Sequence, residues 1–332
     1  MGNTGNTKKI RNLLDGKSGT LLIVLVFSVV VFYIINPAYL SSANVKTVFN
    51  ACSTSGIMAV GMGCLLISGS IDLSSGAIGM FAGVIIALLL QTDMPWGVAF
   101  VVTVLGACCI GLLNAFFVNV LNFIPFISTL GTMTVLTGLG GILSNGQAIV
   151  VNNKSFWELG SITVFNVVPL PFVLMVFVFA VYGCILSGTI FGRRVYMCGG
   201  NRNAVRLAGI NHKAITTVLF VSNAALSAVT GIIFTSRMHN AIYTSVLGQE
   251  MTGLTAAILG GIGFKGGTGG MVGAFIGLIL LNSFTSGLLV AGLNDYWRIV
   301  ANGVLLIAAL TLDYVREKSR IKSQKTAAMK DA

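Results

Sequence analysis

Long stretches without a charged residue constrain this chain more than any other feature. No Asp, Glu, Lys or Arg occurs at 47–71, at 73–92 or at 94–153. A helix needs about 20 apolar residues to cross a hydrocarbon core of roughly 30 Å, and each stretch is long enough. Hydrophobic residues make up 55% of the chain and charged residues only 9%, against about 25% charged residues in soluble domains. The sequence therefore predicts an all-α polytopic membrane protein.

Charged and turn-forming residues divide the apolar sequence into about ten transmembrane helices. The division is weakest within 94–153, where only the short break NFIPF separates two spans. The first run follows four basic residues and has the form of a signal peptide, but its length and the need for an even number of crossings favour an uncleaved span. The predicted spans are 20–35, 48–68, 73–90, 97–121, 125–144, 164–186, 214–236, 251–264, 270–289 and 296–312.

The distribution of basic residues predicts which segments lie in the cytoplasm. With both termini cytoplasmic, most of the 20 Lys and Arg residues fall on the inner side, as the positive-inside rule requires. The inner segments include an N-terminal segment at 1–19, a loop at 188–213 and a basic tail at 313–332, around a transmembrane domain at 20–312. The net charge of +11 then reflects topology and anionic lipid, and not nucleic acid. The implied location is the cell (inner or plasma) membrane.

Side chains that could support chemistry are scarce. The six cysteines lie mostly inside apolar runs without ligand-like spacing, so they indicate neither disulfides nor a metal site. Asp93, Glu158, Glu250 and Asp295 fall at outer ends of spans, where solvation or contacts with a binding protein explain them equally well. An enzyme would need a nucleophile, metal ligands or an acid/base pair, which the sequence does not indicate. An ion-coupled transporter would have Asp72 as its only intramembrane candidate.

Glycine is concentrated in two segments that resemble each other. One is GSIDLSSG at 69–76, and the other is LGGIGFKGGTGG at 259–270. A shift of 191 positions places Gly69 on Gly260 and Met80 on Met271, which indicates a parallel internal repeat. The predicted span 251–264 is short for a full crossing and indicates a glycine-broken half-helix. Paired segments of this kind mark a transport pathway, although any single glycine is explained by close helix packing.

The loop at 188–213 is the only long polar segment between the predicted spans. Its part at 201–207 predicts a short helix that is capped by Asn201 or Asn203 and ended by Gly209. A positive-inside anchor explains the basic residues of the loop. A glycine-bounded helix favours a docking element for a cytoplasmic partner, because an anchor needs no helix.

Four segments carry a resemblance to a known family. CGGNRNAVRLAGI, at 198–210, resembles the coupling-loop motif of permease subunits from the ribose, galactose and xylose branch of ABC importers. The segments LISGSIDLSSGAIGMFAGV, IPFISTLGTMTVLTGLGGILSNGQAI and LTAAILGGIGFKGGTGGMVGAFIG resemble other characteristic stretches of that family, in the same order. The chain departs mildly from the family at VRLAG, where small residues and a Ser often stand, and in its strongly basic tail.

The resemblance implies a transport subunit without catalytic residues, metal or bound cofactor. An extracytoplasmic solute-binding protein would deliver a monosaccharide to a dimer with a second permease subunit, identical or different. An ATP-binding subunit, carrying ATP and Mg²⁺, would drive import. A nucleoside or another sugar-like solute is the alternative substrate. The implied ATPase-coupling residues are Gly200, Asn201, Asn203, Ala204, Arg206, Leu207, Gly209 and Ile210.

Asp72 allows two interpretations. As a helix N-cap, its carboxylate would accept from the free amides of a helix that opens at Leu73. Alternatively, the family resemblance places the GSIDLSSG segment at the inner end of the permeation pathway, where its polar groups would meet a polyhydroxylated sugar or brace a gate. The residues assigned to the pathway or gate are Gly69, Ser70, Asp72, Ser74, Ser75, Gly260 and Gly261.

Overall fold

The computed structural model describes residues 17–164 and 167–330, and this part of the chain is mostly helical. Most of the predicted segment 1–19 and the last two residues of the tail lie outside the described residues. The elements in chain order are α1 (Lys17–Ile35), a 3-10 turn (Pro37–Leu40), α2 (Ser42–Ile67), α3 (Ser75–Leu90), α4 (Trp96–Asn119), α5 (Pro125–Leu143), β1 (Ile149–Val150), α6 (Lys154–Ser161), β2 (Thr163–Val164), β3 (Val168–Pro169), α7 (Leu170–Gly188), α8 (Ile190–Gly200), α9 (Arg202–Leu207), α10 (His212–Met238), β4 (Asn240–Ala241), α11 (Gln249–Leu259), α12 (Met271–Val290) and α13 (Asp295–Lys330).

Seven of the described helices are long and apolar enough to cross a membrane. They are α2, α4, α5, α7, α10, α12 and the part of α13 at Asp295–Val315. The apolar part of α1 (Gly19–Ile35) and the apolar helix α3 are shorter, and α11 has 11 residues, or a length of about 16 Å. The predicted all-α polytopic membrane protein is confirmed, whereas the count of about ten crossings is not.

Helices α2 and α10 form the centre of the bundle. In the most apolar part of α2, 89% of the residues are buried, against 6% in α13. Glycines allow the central helices to approach closely: a Cβ on Gly61 of α2 would lie 3.0 Å from the Cα atom of Asn223 in α10. A Cβ on Gly56 would lie 2.7 Å from the side chains of Met175 and Leu278. Small residues at helix interfaces are what permits such approach within a membrane.

The structure moves several predicted boundaries, and three of these changes have a clear local cause. Helix α7 begins at Leu170 and not at 164, because residues 163–164 pair with residues 168–169 as an antiparallel ribbon. Helix α11 begins at Gln249 and ends at Leu259, because the chain turns at Gly260 and Gly261. Helix α13 continues through the basic tail to Lys330, since no Gly or Pro follows Gly303 to interrupt it.

Two glycine segments end one helix and lead into the next, and we call them the first break (68–74) and the second break (260–270). In the first break Gly69, with φ of 79°, donates its N–H to the Leu66 carbonyl. In the second break Gly261, with φ of 91°, donates to the Ile258 carbonyl in the same way. In both cases the N–H of the following residue donates to the carbonyl one position earlier, Ser70 to Leu65 and Ile262 to Ala257. Both are Schellman-type helix ends, in which glycine adopts the left-handed conformation without strain.

The shared helix ends change the register of the predicted repeat. Gly69 is structurally equivalent to Gly261 and not to Gly260, so the shift of 191 positions is wrong by one at this point. The breaks also differ in length, because α3 begins at Ser75 whereas α12 begins only at Met271. Met80 therefore lies in the second turn of its helix and Met271 in the first. The sequence identities mark two similar helix ends, and do not match residue for residue beyond them.

Candidate functional site

The predicted docking helix is present as α9. Its start is capped by Asn201, whose side-chain Oδ1 accepts from the Ala204 N–H at 3.1 Å. Its end is a glycine turn, with Gly209 at φ of 68° and the Ile210 N–H donating to the Val205 carbonyl. The Asn203 side chain lies outside the described ones. The prediction of a short, capped and glycine-ended helix is therefore correct, but the longer α8 before it was missed.

Helix α9 has one buried side and one exposed side. Its Val205 side chain is fully buried, whereas its Leu207 side chain is 90% exposed. Ala204 and Arg206 are exposed on the same short helix. An apolar side chain exposed to this extent beside a cation is typical of a protein contact surface.

Three glycine-rich segments meet beside α9, where the last turn of α8 contacts both breaks. The Gly267 N–H in the second break donates to the Ile67 carbonyl at the end of α2, at 2.8 Å. A Cβ on Gly199 in α8 would overlap the Ile67 oxygen and would lie 2.5 Å from the Gly267 nitrogen. A Cβ on Gly266 would lie 2.8 Å from the Gly69 nitrogen. We call the four residues Gly69, Gly199, Gly266 and Gly267 the glycine junction.

Side chains hold the segments around the glycine junction in place. The Tyr196 hydroxyl of α8 donates to the Gly269 carbonyl at 2.8 Å. The Phe264 N–H donates to the Asp313 carboxylate of α13 at 3.0 Å. A cavity of about 440 Å³ adjoins the junction, with Gly200, Lys265, Thr268 and Tyr314 in its wall. Sequence reasoning found each glycine segment but not that they meet, because nothing local to any of them specifies the other two.

Asp72 is fully buried and fully engaged in hydrogen bonds. One carboxylate oxygen accepts from the Ser74 N–H at 2.9 Å and from the Ser74 hydroxyl at 2.5 Å. The other oxygen accepts from the side-chain amide of Asn223 in α10, at 2.9 Å. Helix α3 begins at Ser75, with Ser74 and not Asp72 as its N-cap residue. The carboxylate therefore braces the turn before the helix and ties that turn to α10.

The hydrogen bonds continue from Asp72 into two further helices. The Ser74 hydroxyl accepts from the Asn114 amide of α4 at 2.8 Å, and the Asn114 oxygen accepts from the Thr132 hydroxyl of α5 at 2.6 Å. The Leu73 N–H donates to the Thr129 hydroxyl of α5 at 3.0 Å. Sequence reasoning missed these partners. Their signal was present, since a polar side chain inside an apolar helix faces the protein interior and finds a partner there.

The remaining pathway candidates lie in different surroundings. Ser75 is buried and accepts from the Asn223 amide at 2.8 Å. Ser70 borders a cavity of about 140 Å³ near the start of α10. Gly260 and Gly261 border a larger cavity of about 740 Å³ between α7 and α12. The structure thus brings Asp72, Ser74 and Ser75 together in one polar network and places the glycines elsewhere.

Glu250 is the second buried carboxylate, which corrects its interpretation as a solvated loop end. It is only 2% exposed, and its Oε2 atom accepts from the Gly248 N–H at 2.9 Å. A side chain on Gly76 of α3 would collide with it. Glu250 stands in the first turn of α11, where the helix dipole stabilises a negative charge. Asp72 is therefore not the only carboxylate in the interior of the described bundle.

Comparison with known proteins assigns the chain to a family. Residues 44–310 match the family model described as the permease component of the branched-chain amino acid transport system. The chain belongs to this permease family. The match runs from α2 to α13 and so includes both breaks and α9.

Individual relatives cover nearly the whole chain. It is 31% identical over 293 residues to the ribose import permease protein RbsC of Bacillus subtilis (strain 168), covering 88% of this chain and 90% of that protein. It is 32% identical over 302 residues to the L-arabinose transport system permease protein AraH of Escherichia coli (strain K12), covering 90% and 91%. It is 30% identical over 304 residues to the autoinducer 2 import system permease protein LsrC of Photorhabdus luminescens, covering 92% of each. No solved structure matches the chain.

These relatives confirm the family resemblance drawn from the sequence motifs. They are transport permeases and not enzymes, so the chain is a transport subunit. Its membrane-spanning helices make it a multi-pass membrane protein.

Proposed function

We propose that this chain is the permease subunit of an ATP-driven importer for a monosaccharide delivered by an extracytoplasmic solute-binding protein. The relatives named for ribose, L-arabinose and galactose import support a sugar substrate. The relative named for autoinducer 2 supports a sugar-like solute as the alternative. The subunit itself carries no cofactor in this proposal, and a partner ATP-binding subunit holds ATP and Mg²⁺.

The proposed topology places the glycine junction at the cytoplasmic side. The exposed basic residues Arg193, Arg194, Lys213 and Lys265 lie on the segments that meet there or adjoin them, which favours the cytoplasmic, anionic face of the membrane. In this topology both termini are cytoplasmic, α1 and α3 complete the crossings, and α11 is the half-helix of a broken tenth span.

Helix α9 is the proposed docking element for the ATP-binding subunit. The observation that carries this proposal is its position: α9 follows the turn of α8 that touches the end of α2 and the second break through the glycine junction. A displacement of α9 by a bound ATPase would reach the end of α2, and the segment that joins α11 to α12, through direct main-chain contact. A second permease subunit would complete the transport unit, with the pathway between or beside the two copies.

Charge reversal on α9 tests the docking proposal. We expect Arg206→Glu and Leu207→Glu to abolish co-purification of the ATP-binding subunit and sugar uptake, because a charge placed in a packed interface is left unpaired. The matched control is Lys213→Glu, a reversal at another exposed residue of the same loop. It stands in the first turn of α10, where an acidic side chain suits the helix dipole.

The measurements are the yield of folded permease, the amount of co-purified ATPase and uptake of labelled ribose, arabinose and galactose. Folded Arg206→Glu and Leu207→Glu that retain the ATPase and normal uptake would contradict the proposal. Loss of the ATPase from Lys213→Glu to the same extent would contradict the specific role of α9.

A further inference from the structure

The chain between α10 and α11 descends into the bundle without forming a helix. It leaves the end of α10 at His239, forms β4, and turns at Val246, with φ of 67°, and at Gly248, with φ of 88°. A Cβ on Gly79 of α3 would lie 3.5 Å from the Val246 side chain, and one on Gly76 would lie 3.4 Å from the Val246 carbonyl. Val246 therefore lies at the level of the first two turns of α3.

This position is deep within the membrane. Helix α3 continues from Gly79 for 11 further residues to its end at Leu90, a distance of about 16 Å. Helix α10 gives the same depth, since a Cβ on Gly79 would also lie 2.9 Å from the carbonyl of Ser227, 11 residues before its end at Met238. A hydrocarbon core is roughly 30 Å thick, so the chain at 242–248 reaches its middle. We call residues 242–248 the descending segment.

Part of the descending segment is exposed on the surface of the subunit. Ile242 is 37% exposed, and Thr244 and Gly248 are exposed as well. A Cβ on Gly248 would meet no atom within 4 Å. Non-helical backbone at this depth does not face lipid, because hydrocarbon cannot satisfy its peptide groups. Such backbone occurs where protein covers it or where it borders water.

A face of α5 continues this surface. Tyr243 packs on it, since a Cβ on Gly141 would lie 3.7 Å from the Tyr243 ring. The exposed residues further along α5 include Gly131, Thr134 and Gly138, and neither of these two glycines would bring a Cβ within 4 Å of another atom. The same face of α5 also carries the exposed aliphatic residues Ile127, Val135 and Ile142, so the open surface combines hydroxyl groups and bare main chain with aliphatic side chains at membrane depth.

We propose that the descending segment and the adjoining face of α5 line the aqueous solute pathway at the middle of the membrane. This inference rests on the proposed function, and it assigns the pathway to residues other than the Asp72 network. The solute is a neutral, polyhydroxylated molecule, for which the Thr244 and Thr134 hydroxyls and the main-chain groups near Gly248 supply hydrogen-bond partners without a charged side chain.

Cysteine accessibility in the assembled importer tests this assignment. The probe is a charged methanethiosulfonate, which reacts with a thiolate and therefore modifies a cysteine only where water reaches it. The background replaces the exposed and half-exposed cysteines by Cys108→Ala, Cys109→Ala and Cys184→Ala and keeps the buried ones. The test variants are Thr244→Cys and Ile242→Cys.

The matched control is Leu105→Cys, on the regular helix α4. Leu105 is 60% exposed and lies nine residues from the start of α4 at Trp96, which is about 14 Å and so a similar depth. We expect modification of Thr244→Cys at least about tenfold faster than that of Leu105→Cys, because lipid keeps the latter thiol protonated and out of reach. Modification should also block sugar uptake by Thr244→Cys and leave uptake by Leu105→Cys unchanged.

Two outcomes would overturn the inference. Modification of Thr244→Cys and Ile242→Cys as slowly as the control would show that water does not reach the segment. Spontaneous disulfide formation between two copies through Thr244→Cys, without modification by the probe, would show a dry contact between subunits instead. Sugar uptake by the cysteine-reduced parent is measured separately, so failure of the proposed function is distinguishable from failure of the pathway assignment.

Discussion

The first and second breaks both connect the end of one helix to the start of the next, but different interactions stabilise them. Each follows a helix that ends in the same glycine turn, and each lies at the same end of the bundle. Side chains stabilise the first break, because the Asp72 carboxylate accepts hydrogen bonds from Ser74 in its own turn and from Asn223 in α10. Helices α2 and α3 on its two sides make few contacts with each other.

The second break receives side-chain hydrogen bonds from Tyr196 and Asp313, but the helices on its two sides are joined by close main-chain packing. A Cβ on Gly273 of α12 would overlap the Gly260 carbonyl, and one on Gly277 would overlap the Ala256 carbonyl of α11. Helices α11 and α12 thus pack against each other along bare backbone. The comparison teaches that sequence similarity between the breaks marks a shared turn, while the forces that fix each break come from different residues.

The largest effect is expected where bulk enters the second break. Gly260→Leu places a side chain onto the backbone of Gly273 and Ala274, and a main-chain neighbour cannot rotate away. We expect the free energy of unfolding to fall by about 3 kcal/mol or more. The measurement is the yield of monodisperse protein after extraction in detergent, which should disappear.

The control for this substitution is Gly106→Leu in α4. Its Cβ would meet no atom within 4 Å, so its yield should match that of the parent. Recovery of Gly260→Leu at the parent yield would contradict the close packing of α11 on α12.

An intermediate effect is expected from Asp72→Asn in the first break. One oxygen becomes an amide that donates, so the amide of Asn223 loses one of its two acceptors and keeps only the Ser75 hydroxyl. An unsatisfied buried group costs about 1–3 kcal/mol. The double variant with Asn223→Asp restores a donor and an acceptor at this contact, and we expect it to recover part of the loss in thermal denaturation midpoint.

Sugar uptake per folded molecule separates the two roles of Asp72. A bracing residue predicts normal uptake by the Asp72→Asn molecules that fold. A gate or substrate contact predicts that well-folded Asp72→Asn fails in uptake. The absence of any stability change in Asp72→Asn would contradict the bracing role.

The smallest effect is expected from Gly69→Ala. The new Cβ finds room, since its nearest atoms lie 3.5 Å and 3.7 Å away, and only the positive φ of 79° opposes it. The left-handed conformation costs a residue with a Cβ about 1–2 kcal/mol. Gly69→Asn should cost less, because Asn tolerates this conformation better. Equal denaturation midpoints for Gly69→Ala and Gly69→Asn would indicate that contact and not backbone conformation governs the position.

Local rules predicted the parts of this molecule that depend on neighbouring residues. The apolar runs gave helices at every predicted span, and Asn201 and Gly209 bounded a short helix as capping rules require. The glycine segments were identified as breaks for the same reason. Each of these inferences needs only residues within one or two turns of each other.

Contacts between distant segments were beyond the sequence. Asn114 and Asn223 meet the Asp72 turn from other helices, and no spacing rule connects them to it. Gly260 and Gly261 are adjacent and identical in type, yet one is needed for packing and the other for its positive φ. The burial of Glu250 could not be predicted from the sequence either, because this residue follows polar residues that resemble an ordinary loop.

Because the glycine junction is built from main-chain atoms, substitutions on the surface of α9 do not change the geometry of the junction. Under the proposed function, substitutions on the exposed side of α9, a helix of six residues, alter the surface that the ATP-binding subunit meets. They leave the distances between Gly199, Ile67 and Gly267 unchanged, because those distances are set by backbone atoms that every substitution retains. Under the proposed function, recognition of the ATP-binding subunit and transmission of its movement therefore depend on different atoms, so a change of partner subunit would need only a few substitutions on the surface of α9 and none in the glycine junction.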